Sequence, residues 1–364
     1  MNGSIRIGNL FGIPFFVHPT WFFILGLVTL SYSSQLGIVL GSIVALLLFA
    51  SVLAHELGHS FAAIRQGIEV KSITLFLFGG LANLAEESKT PAGAFWVAIA
   101  GPLVSFLLFG LFTFLSLNAG ISGSLAVILP LLAYTNLALG VFNLIPGLPL
   151  DGGNVLKALV WKITGNPFKG VIFAGRVGQI FGFLGISFGL AIVLGLLGRG
   201  FTGGWWYALI GWFLLQNAGR ATQYARVQNQ LTNLKAEEAV NPNSPIVLES
   251  ISLRKLANDY VIGKEVWRKF LVIDEQGRLV GEMAIDDMRT VSTDLWPSTP
   301  VRTLTKPVDQ TKVVSPNQSL LDVAKLIEQT NATELPVVQP DGVLVGLLEK
   351  DSIAKLLETK LQKR

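Results

Sequence analysis

The sequence HELGH occupies His55 to His59. On a helix, two histidines four residues apart lie on one face, close enough for both imidazoles to bind a single Zn²⁺. Glu56 lies beside them, where its carboxylate can take a proton from a water molecule on the metal. The chain has only three histidines, so chance rarely produces this spacing. The motif predicts metal-assisted hydrolysis of amide bonds; the alternative is that the histidines cap or cross-brace two helices.

A third metal ligand is expected, because catalytic zinc usually takes three protein ligands and keeps one position for water. The chain has no cysteine, so this ligand must be His, Asp or Glu. Asp151 is the only acidic residue between Lys89 and Lys157, and it ends the stretch NLIPGLPLD, in which proline and glycine prevent a regular helix. Irregular backbone at membrane depth is tolerated only where it is buried in protein or lines a wet cavity. These features select Asp151; the alternative is that it caps a helix predicted over 154–162.

The composition is that of an integral membrane protein. Of the 364 residues, 51% are hydrophobic and 14% are charged, and the mean hydropathy is +0.55; these values are too apolar for an ordinary soluble enzyme. The range 1–225 holds ten Lys or Arg and five Asp or Glu, whereas the range 226–364 holds 18 and 19. The second part is therefore soluble in character. The excess charge of +4 includes no basic run, so nucleic acid is excluded as a partner.

Apolar stretches long enough to cross a bilayer predict about six transmembrane helices. They cover about residues 15 to 33, 36 to 66, 93 to 118, 121 to 145, 171 to 198 and 203 to 219. With the N-terminus in the cytoplasm, Arg199 is the only Lys or Arg from the start of the chain to Arg226 that falls on the outer side. The positive-inside rule thus places both termini in the cytoplasm. We expect a multi-pass protein of the plasma membrane, and an internal photosynthetic membrane is also compatible.

No small-residue cleavage site precedes the first apolar run, so the first span is expected to serve as the insertion signal. Between spans two and three, residues 72–81 form a β-prone run with paired glycines that is too short to cross. It is expected to be a strand or a re-entrant hairpin, and a strand near an active site could pair with an unwound substrate peptide. A simple packed connector is the alternative.

An internal repeat lies beyond a polar segment, residues 226–245, that is predicted to be a linker. Residues 270–288 match residues 335–353 at a shift of 65, and each copy reads as strand, glycine turn, strand and helix. The two α/β units resemble a tandem pair of cystathionine-β-synthase (CBS) domains. We place the first domain at residues 246–305 and the second at 306–364.

The membrane part resembles the site-2 protease family of intramembrane zinc metalloproteases. The resemblance rests on HELGH, on Ala100-Gly101-Pro102 in the third span and on NLIPGLPLDGG after the fourth, and it extends from Gly12 to about residue 165. Within the family, the chain is similar to the six-span bacterial branch that carries C-terminal CBS domains instead of a PDZ insertion. The implied fold is a polytopic α-helical membrane domain, residues 1–225, followed by a soluble α/β tandem CBS domain.

By this resemblance, His55, His59 and Asp151 correspond to the zinc ligands and Glu56 to the catalytic base. Asn143 could donate to the tetrahedral oxyanion or orient a ligand, or it could satisfy backbone groups freed near Pro146. The resemblance also includes His18, which is expected to be structural or gating. Asn154 is a departure, because relatives commonly have Arg or His after the glycine pair.

CBS pairs commonly bind adenine nucleotides, often with Thr or Ser and then Asp after the strand glycine. The first copy has Ala284 with Asp287, and the second has Glu349 with Ser352, so neither copy keeps both residues. Nucleotide binding is therefore doubtful, and Asp287 is only a weak candidate ligand. A module that forms a homodimer or recognises substrate is an equal alternative.

The function implied is intramembrane proteolysis of membrane-tethered regulatory proteins, after another protease has trimmed them. Because a helix hides its amides in hydrogen bonds, the substrates are expected to have helix-destabilised spans. The alternatives are a transporter or channel regulated by the CBS domains, and a zinc-binding membrane regulator without proteolytic activity.

Overall fold

A computed structural model describes residues 3–76, 79–118, 122–197, 203–262 and 267–362. Arg199 lies outside these ranges, so the structure does not describe this marker of the outer side. The chain divides into two compact units, Met1–Arg226 and Val227–Arg364. They are called the membrane unit and the C-terminal unit below.

The membrane unit contains a four-stranded sheet in the order β1-β2-β3-β4. Its strands are β1 (Ile5–Leu10), β2 (Ile13–Val17), β3 (Val70–Phe76) and β4 (Gly79–Leu84). β1 and β3 flank β2, antiparallel and parallel to it respectively, and β4 pairs antiparallel with β3. The run over 72–81 is thus a β-hairpin, whose Leu77 and Phe78 lie outside the described residues. The sequence pattern did not predict β1 and β2.

Six helices of the described residues begin in this unit, and the last of them ends beyond Arg226. They are α1 (Pro19–Ile64), α2 (Pro91–Asn118), α3 (Leu125–Asn143), α4 (Asp151–Thr164), α5 (Pro167–Val193) and α6 (Gly204–Asn233). Among the described residues, α1, α2, α3 and α5 are long and apolar enough to cross a bilayer. α6 is not one of these four, because its sequence becomes polar after Leu215. The number of six spans stays a prediction.

The long helix α1 is two helices that reverse at Gly37, where φ is 77°. The rings of Trp21 and Phe49 lie 4.8 Å apart, centroid to centroid. A straight helix would separate these residues by about 42 Å, so the two halves must run back along each other. A residue with a positive φ is rarely anything but glycine, which explains why the reversal is at this position. α1 therefore supplies two apolar passes.

Glycines set the close approach of the helices in the membrane unit. A Cβ added at Gly58 of α1 would lie 2.8 Å from the carbonyl oxygen of Ala100 in α2, and one at Gly182 of α5 would lie 2.8 Å from that of Gly211 in α6. Large apolar side chains lie on the outside instead; Leu107 of α2 is 73% exposed. This is the packing expected in lipid, where small residues let helix backbones approach each other.

The C-terminal unit contains two copies of one α/β pattern. The strands are β5 (Ile246–Leu248), β6 (Lys269–Ile273), β7 (Leu279–Ala284), β8 (Glu334–Val338) and β9 (Leu344–Glu349). The α-helices are α7 (Leu253–Leu256), α8 (Leu320–Thr330) and α9 (Lys350–Gln362), and a 3-10 helix, Ile285–Thr290, stands where α9 stands in the second copy. A core that includes Phe270, Met283, Leu253 and Leu256 fills the first copy.

Each copy is bordered by the segment that leads into the other copy. Lys306, which precedes the second copy, exchanges two backbone hydrogen bonds of 2.8 Å with Glu282 in β7 of the first. Asn241, which precedes the first copy, donates its backbone N–H to Leu347 in β9 of the second, at 2.9 Å. The shift that relates the two copies also relates Asn241 to Lys306 and Glu282 to Leu347. The internal repeat therefore includes these leading segments.

Most of the segment 226–240 has regular structure, which differs from the interpretation of residues 226–245 as a linker. α6 continues to Asn233, a 3-10 helix follows at Ala236–Ala239, and Val240 forms a bridge to Leu348. Ala236 and Ala239 are buried. The polar composition that suggested a linker belongs to the exposed face of this ordered segment.

Candidate metal centre and active site

Three side chains from two elements converge on one point. The second half of α1 supplies His55 and His59, and the first residue of α4 supplies Asp151. The Nε2 atoms of the two histidines are 3.2 Å apart. The Asp151 Oδ2 atom is 3.0 Å from Nε2 of His55 and 3.3 Å from Nε2 of His59. Within the described part of the chain, this is the group of His, Asp and Glu residues that could hold a metal ion.

These residues fit zinc. With Zn–ligand distances near 2.0–2.1 Å, the ligand atoms of a tetrahedral site are about 3.3 Å apart, close to the separations observed here. The opposite nitrogen of each ring is also engaged: Nδ1 of His59 lies 2.7 Å from the carbonyl oxygen of Val97, and Nδ1 of His55 lies 2.9 Å from Oγ of Ser105. A proton on Nδ1 of His59 is donated to that carbonyl and leaves the Nε2 lone pair for the metal.

The loop between α3 and α4 fixes the position of Asp151. A Cβ at Gly152 would lie 2.2 Å from the Leu144 carbonyl oxygen, and one at Gly153 would lie 2.3 Å from the Leu148 nitrogen. The paired glycines therefore let α4 begin tightly against its own loop. The N-cap residue of α4 is Leu150, with no side-chain cap bond, so the structure directs the Asp151 carboxylate to the histidines rather than to a helix cap.

Strand β4 holds the side chain of Glu56. A Cβ at Gly80 would lie 2.3 Å from Cγ of Glu56, so a larger residue in the strand would displace this side chain. The backbone of Ala82, also in β4, lies beside the Glu56 carboxylate. The paired glycines of the sequence thus belong to the wall of the site, and β4 sets the position of the acidic group.

Gly101 in α2 supports both histidine rings and was not recognised as a site residue from the sequence. A Cβ at this position would lie 2.2 Å from Nε2 of His59 and 2.8 Å from Nε2 of His55. Only glycine leaves room for the two imidazoles. The motif Ala100-Gly101-Pro102 was the available signal, but nothing in it indicates contact with a helix that ends well before it in the chain.

The site opens into a cavity of about 570 Å³. Asn143 lines this cavity, and its Nδ2 donates to the Leu139 carbonyl oxygen at 3.1 Å. This bond lies within α3, so Asn143 does not satisfy the backbone near Pro146 in the arrangement observed. Asn154, Asn217 and Lys157 also line the cavity. The sequence did not single out Asn217, because it lies on α6, far along the chain from every motif of the site.

The other candidates of the sequence lie elsewhere. His18 is the N-cap of α1, and its Nδ1 accepts from the backbone N–H of Thr20; the residue is outside the group of three candidate ligands. Asp287 pairs with Lys306, with Oδ1 and Nζ 2.8 Å apart. The hydrogen bond from Lys306 holds the pKa of Asp287 below its ordinary value. As a nucleotide ligand, Asp287 stays a prediction.

Comparisons with known proteins identify the family of this chain. The model of peptidase family M50 matches residues 43–123 and 118–185, and the CBS domain model matches residues 299–359. The protein sll0528 of Synechocystis sp. is 54% identical over 99% of this chain and 97% of its own length. Its assigned name describes it as a zinc metalloprotease. Rip3 of Mycobacterium tuberculosis, similarly named, is 31% identical over 98% of this chain and 94% of its own.

A solved structure, the site-2 protease from Methanocaldococcus jannaschii, is 30% identical and covers 60% of this chain and 95% of its own, with a TM-score of 0.45. The family of the chain is established by the two sequence relatives and the family model. The chain belongs to peptidase family M50, the site-2 proteases. It is an integral membrane zinc metalloprotease with a C-terminal CBS domain.

Proposed function

We propose that this metalloprotease is an intramembrane endopeptidase that cuts the transmembrane segments of membrane-tethered regulatory proteins. The observation that carries the proposal is the position of the three ligands and Glu56. They lie between α1, which includes two apolar passes, and α4, on the wall of a cavity that β4 also lines. A protease site inside an apolar bundle is suited to a peptide that arrives through the membrane.

His55, His59 and Asp151 would hold the metal. When bound there, zinc supplies the Lewis acid that polarises a carbonyl and a water molecule for amide hydrolysis. Glu56, held by β4, accepts the proton of the attacking water and returns it to the leaving amine. Asn143 uses one amide hydrogen for Leu139, and we propose that the second one donates to the oxyanion of the substrate.

β4 supports a proposal for how substrate is presented. It is the last strand of the order β1-β2-β3-β4, so its outer edge has no neighbour among the described strands. Residues Gly79 to Ala82 of this strand line the cavity. We propose that an unwound substrate segment adds to this edge as a further strand, which exposes its amides beside Glu56. Substrates with helix-destabilised spans would bind best, because unwinding costs them less.

We also propose that both termini lie in the cytoplasm of a cell with this protein in its plasma membrane, on the charge distribution of the sequence. The CBS pair would modulate proteolysis through dimerisation or substrate recognition. Two observations support this over a nucleotide sensor: neither copy keeps the Thr or Ser with Asp pattern, and Asp287 is engaged by Lys306.

The experiment is cleavage of single-span substrates by the purified full-length protein in detergent. Wild type is compared with Glu56→Gln, with zinc measured in both, and each substrate is tested with leucines or with Gly-Pro in the middle of its span. We expect the wild type to cut within the Gly-Pro span and the variant to hold zinc without cutting. Cleavage confined to the soluble flanks of the substrates, or an equal rate for both spans, would contradict the proposal.

A further inference from the structure

A second charged group lies in the wall of the active-site cavity. Lys157 of α4 lines the cavity together with the metal ligands, and its side chain is only 12% exposed. Its ammonium pairs with the carboxylate of Glu87, whose side chain is 81% exposed. Among the described residues that line the cavity, Lys157 is the one lysine or arginine. A lysine with a largely buried side chain and an exposed ion-pair partner is unusual, because burial removes water that would otherwise solvate a charged side chain.

The position of Lys157 is fixed by its helix. Asp151, Asn154 and Lys157 follow one another at intervals of three on α4, and all three line the cavity. The Lys157 carbonyl oxygen lies against α5, where a Cβ at Gly170 would be only 2.5 Å away. The three side chains thus form a row along the cavity wall, from Asp151 to Lys157. The backbone of α4 at Lys157 is held in place by its contact with α5.

The partner of Lys157 is held less firmly. Glu87 belongs to the irregular segment 85–90, between the end of β4 and the start of α2. Because its side chain is mostly in contact with solvent, the ion pair contributes little to stability. Another carboxylate could therefore replace Glu87 at low cost, and Lys157 would keep a partner throughout the exchange.

We propose that Lys157 is a specificity residue that binds an acidic side chain of the substrate, and that Glu87 is the counter-ion that this side chain displaces. The inference rests on the proposed function, since it takes the substrate to be an extended peptide along β4. Gly80 contacts Glu56, and β4 runs from there toward Glu87. At about 3.3 Å per residue, the strand covers roughly 13 Å between Gly80 and Leu84. The acidic residue should thus lie about four to seven residues from the scissile bond.

The test uses a series of single-span peptides that carry Glu, Gln or Lys at each position from three to eight residues on either side of the scissile bond. Binding of the labelled peptides to full-length Glu56→Gln enzyme is measured by fluorescence anisotropy, and KM and kcat are measured with wild type. We expect Glu to bind about tenfold more tightly than Gln at one or two adjacent positions, with the difference in KM rather than kcat. The binding measurement gives an answer even if no peptide of the series is cut, which would count against the proposed function alone.

The decisive variant exchanges the two charges, Lys157→Glu with Glu87→Lys, which keeps an ion pair in place. The preferred residue of the peptide should then change from Glu to Lys. A matched control is Lys162→Glu, a charge reversal on an exposed position of the same helix, which should leave the preference for Glu unchanged. The proposal is overturned if the exchanged variant still prefers Glu, or if wild type binds Glu, Gln and Lys peptides equally at every position; the pair would then only tie segment 85–90 to α4.

Discussion

The membrane unit and the C-terminal unit bury different kinds of residue. Of the twelve largest fully buried side chains in the described structure, ten lie in the C-terminal unit, and only Val44 and Ile73 lie in the membrane unit. The membrane unit instead buries glycines at helix contacts and polar side chains such as Ser105 and Asn136. Many of its large apolar residues, such as Leu107, are exposed instead.

The difference follows from the two solvents. In water, burying apolar area drives folding, so the C-terminal unit depends on side-chain volume in its core. Lipid is as apolar as leucine, and helices in it associate through close backbone packing and hydrogen bonds. The membrane unit should therefore be sensitive to a single added methyl group at a contact, and the C-terminal unit to a lost ring. The variants below test this contrast.

The largest expected effect is that of Phe270→Ala, at a side chain that is 1% exposed. Loss of the ring from a packed core should cost about 3–5 kcal/mol of the stability of the C-terminal unit. Limited proteolysis and denaturant titration of the full-length protein would measure this, while its zinc content should stay unchanged. Leu107→Ala, at a leucine 73% exposed on α2, should change stability by less than ~0.5 kcal/mol. Equal losses in the two variants would remove the contrast.

Gly101→Ala should act on the site rather than on the core. The new methyl group would displace the imidazoles of both candidate ligands, His55 and His59, and a misplacement of about 1 Å can reduce the catalytic rate roughly 100-fold. We expect a loss of this size in cleavage, together with reduced zinc content. Gly110→Ala on the same helix is the control, because its Cβ would meet no atom within 4 Å. If the two variants were equally active, the contact with the histidines would have no functional role.

Ser105→Ala removes the hydroxyl beside Nδ1 of His55. Loss of such a partner behind a metal ligand typically reduces metal affinity about 10–100-fold, and we expect the lower end here because the ring stays packed. Zinc retention against a competing chelator would show this without any measurement of cleavage. Ser31→Ala, at an exposed hydroxyl that bonds the Leu27 carbonyl oxygen of its own helix, should retain zinc like wild type. Unchanged retention in Ser105→Ala would show that packing alone orients His55.

The smallest effect concerns Glu334 in β8. Burial raises the pKa of its carboxyl group, Lys269 opposes the rise, and the carboxylates of Glu349 and Glu282 add to it. A carboxyl group whose pKa is raised by folding favours the folded state at low pH, and this contribution is lost as the pH rises through the folded pKa. Glu334→Gln should therefore raise the melting temperature of the C-terminal unit at pH 7, by about 1–3 °C.

The gain from Glu334→Gln should disappear when the pH is lowered to the ordinary range for a glutamate, where the wild-type residue is also neutral. Melting curves over a pH series would show this. Glu358→Gln, at an exposed position of α9, should give no pH-dependent difference. A gain that is independent of pH would mean that the amide packs better than the acid and that the charge is not the cause.

The sequence was most informative where residues that can bind a metal are rare. His55 and His59 could be paired because the chain has three histidines, and Asp151 because acidic residues are nearly absent from its surroundings. The structure brings these three side chains together. Gly101 and Gly80 were not assigned to the site, since a glycine reveals its role only when the atom that its Cβ would meet is known. That atom belongs to a different element, α1, in both cases.

Elements without a local signal were also missed or placed differently. β1 and β2 alternate weakly and β1 is largely exposed, so periodicity does not separate them from a polar N-terminus. The segment 226–245 looks like a linker by composition, but hydrogen bonds to a distant strand order it. Long-range pairing of this kind depends on which strand edges remain unpaired in the rest of the fold, and these edges cannot be identified from a single sequence.

The leading segments of the C-terminal unit make its two copies inseparable. Asn241, which precedes the first copy in the chain, pairs with β9 of the second copy. Lys306, which leads into the second copy, pairs with β7 of the first. A fragment that begins at residue 246 would retain every strand of the repeat, but β9 would lose the hydrogen bond from Asn241 on the edge away from β8. The two copies should consequently melt in one cooperative transition, as a single folding unit that cannot be halved.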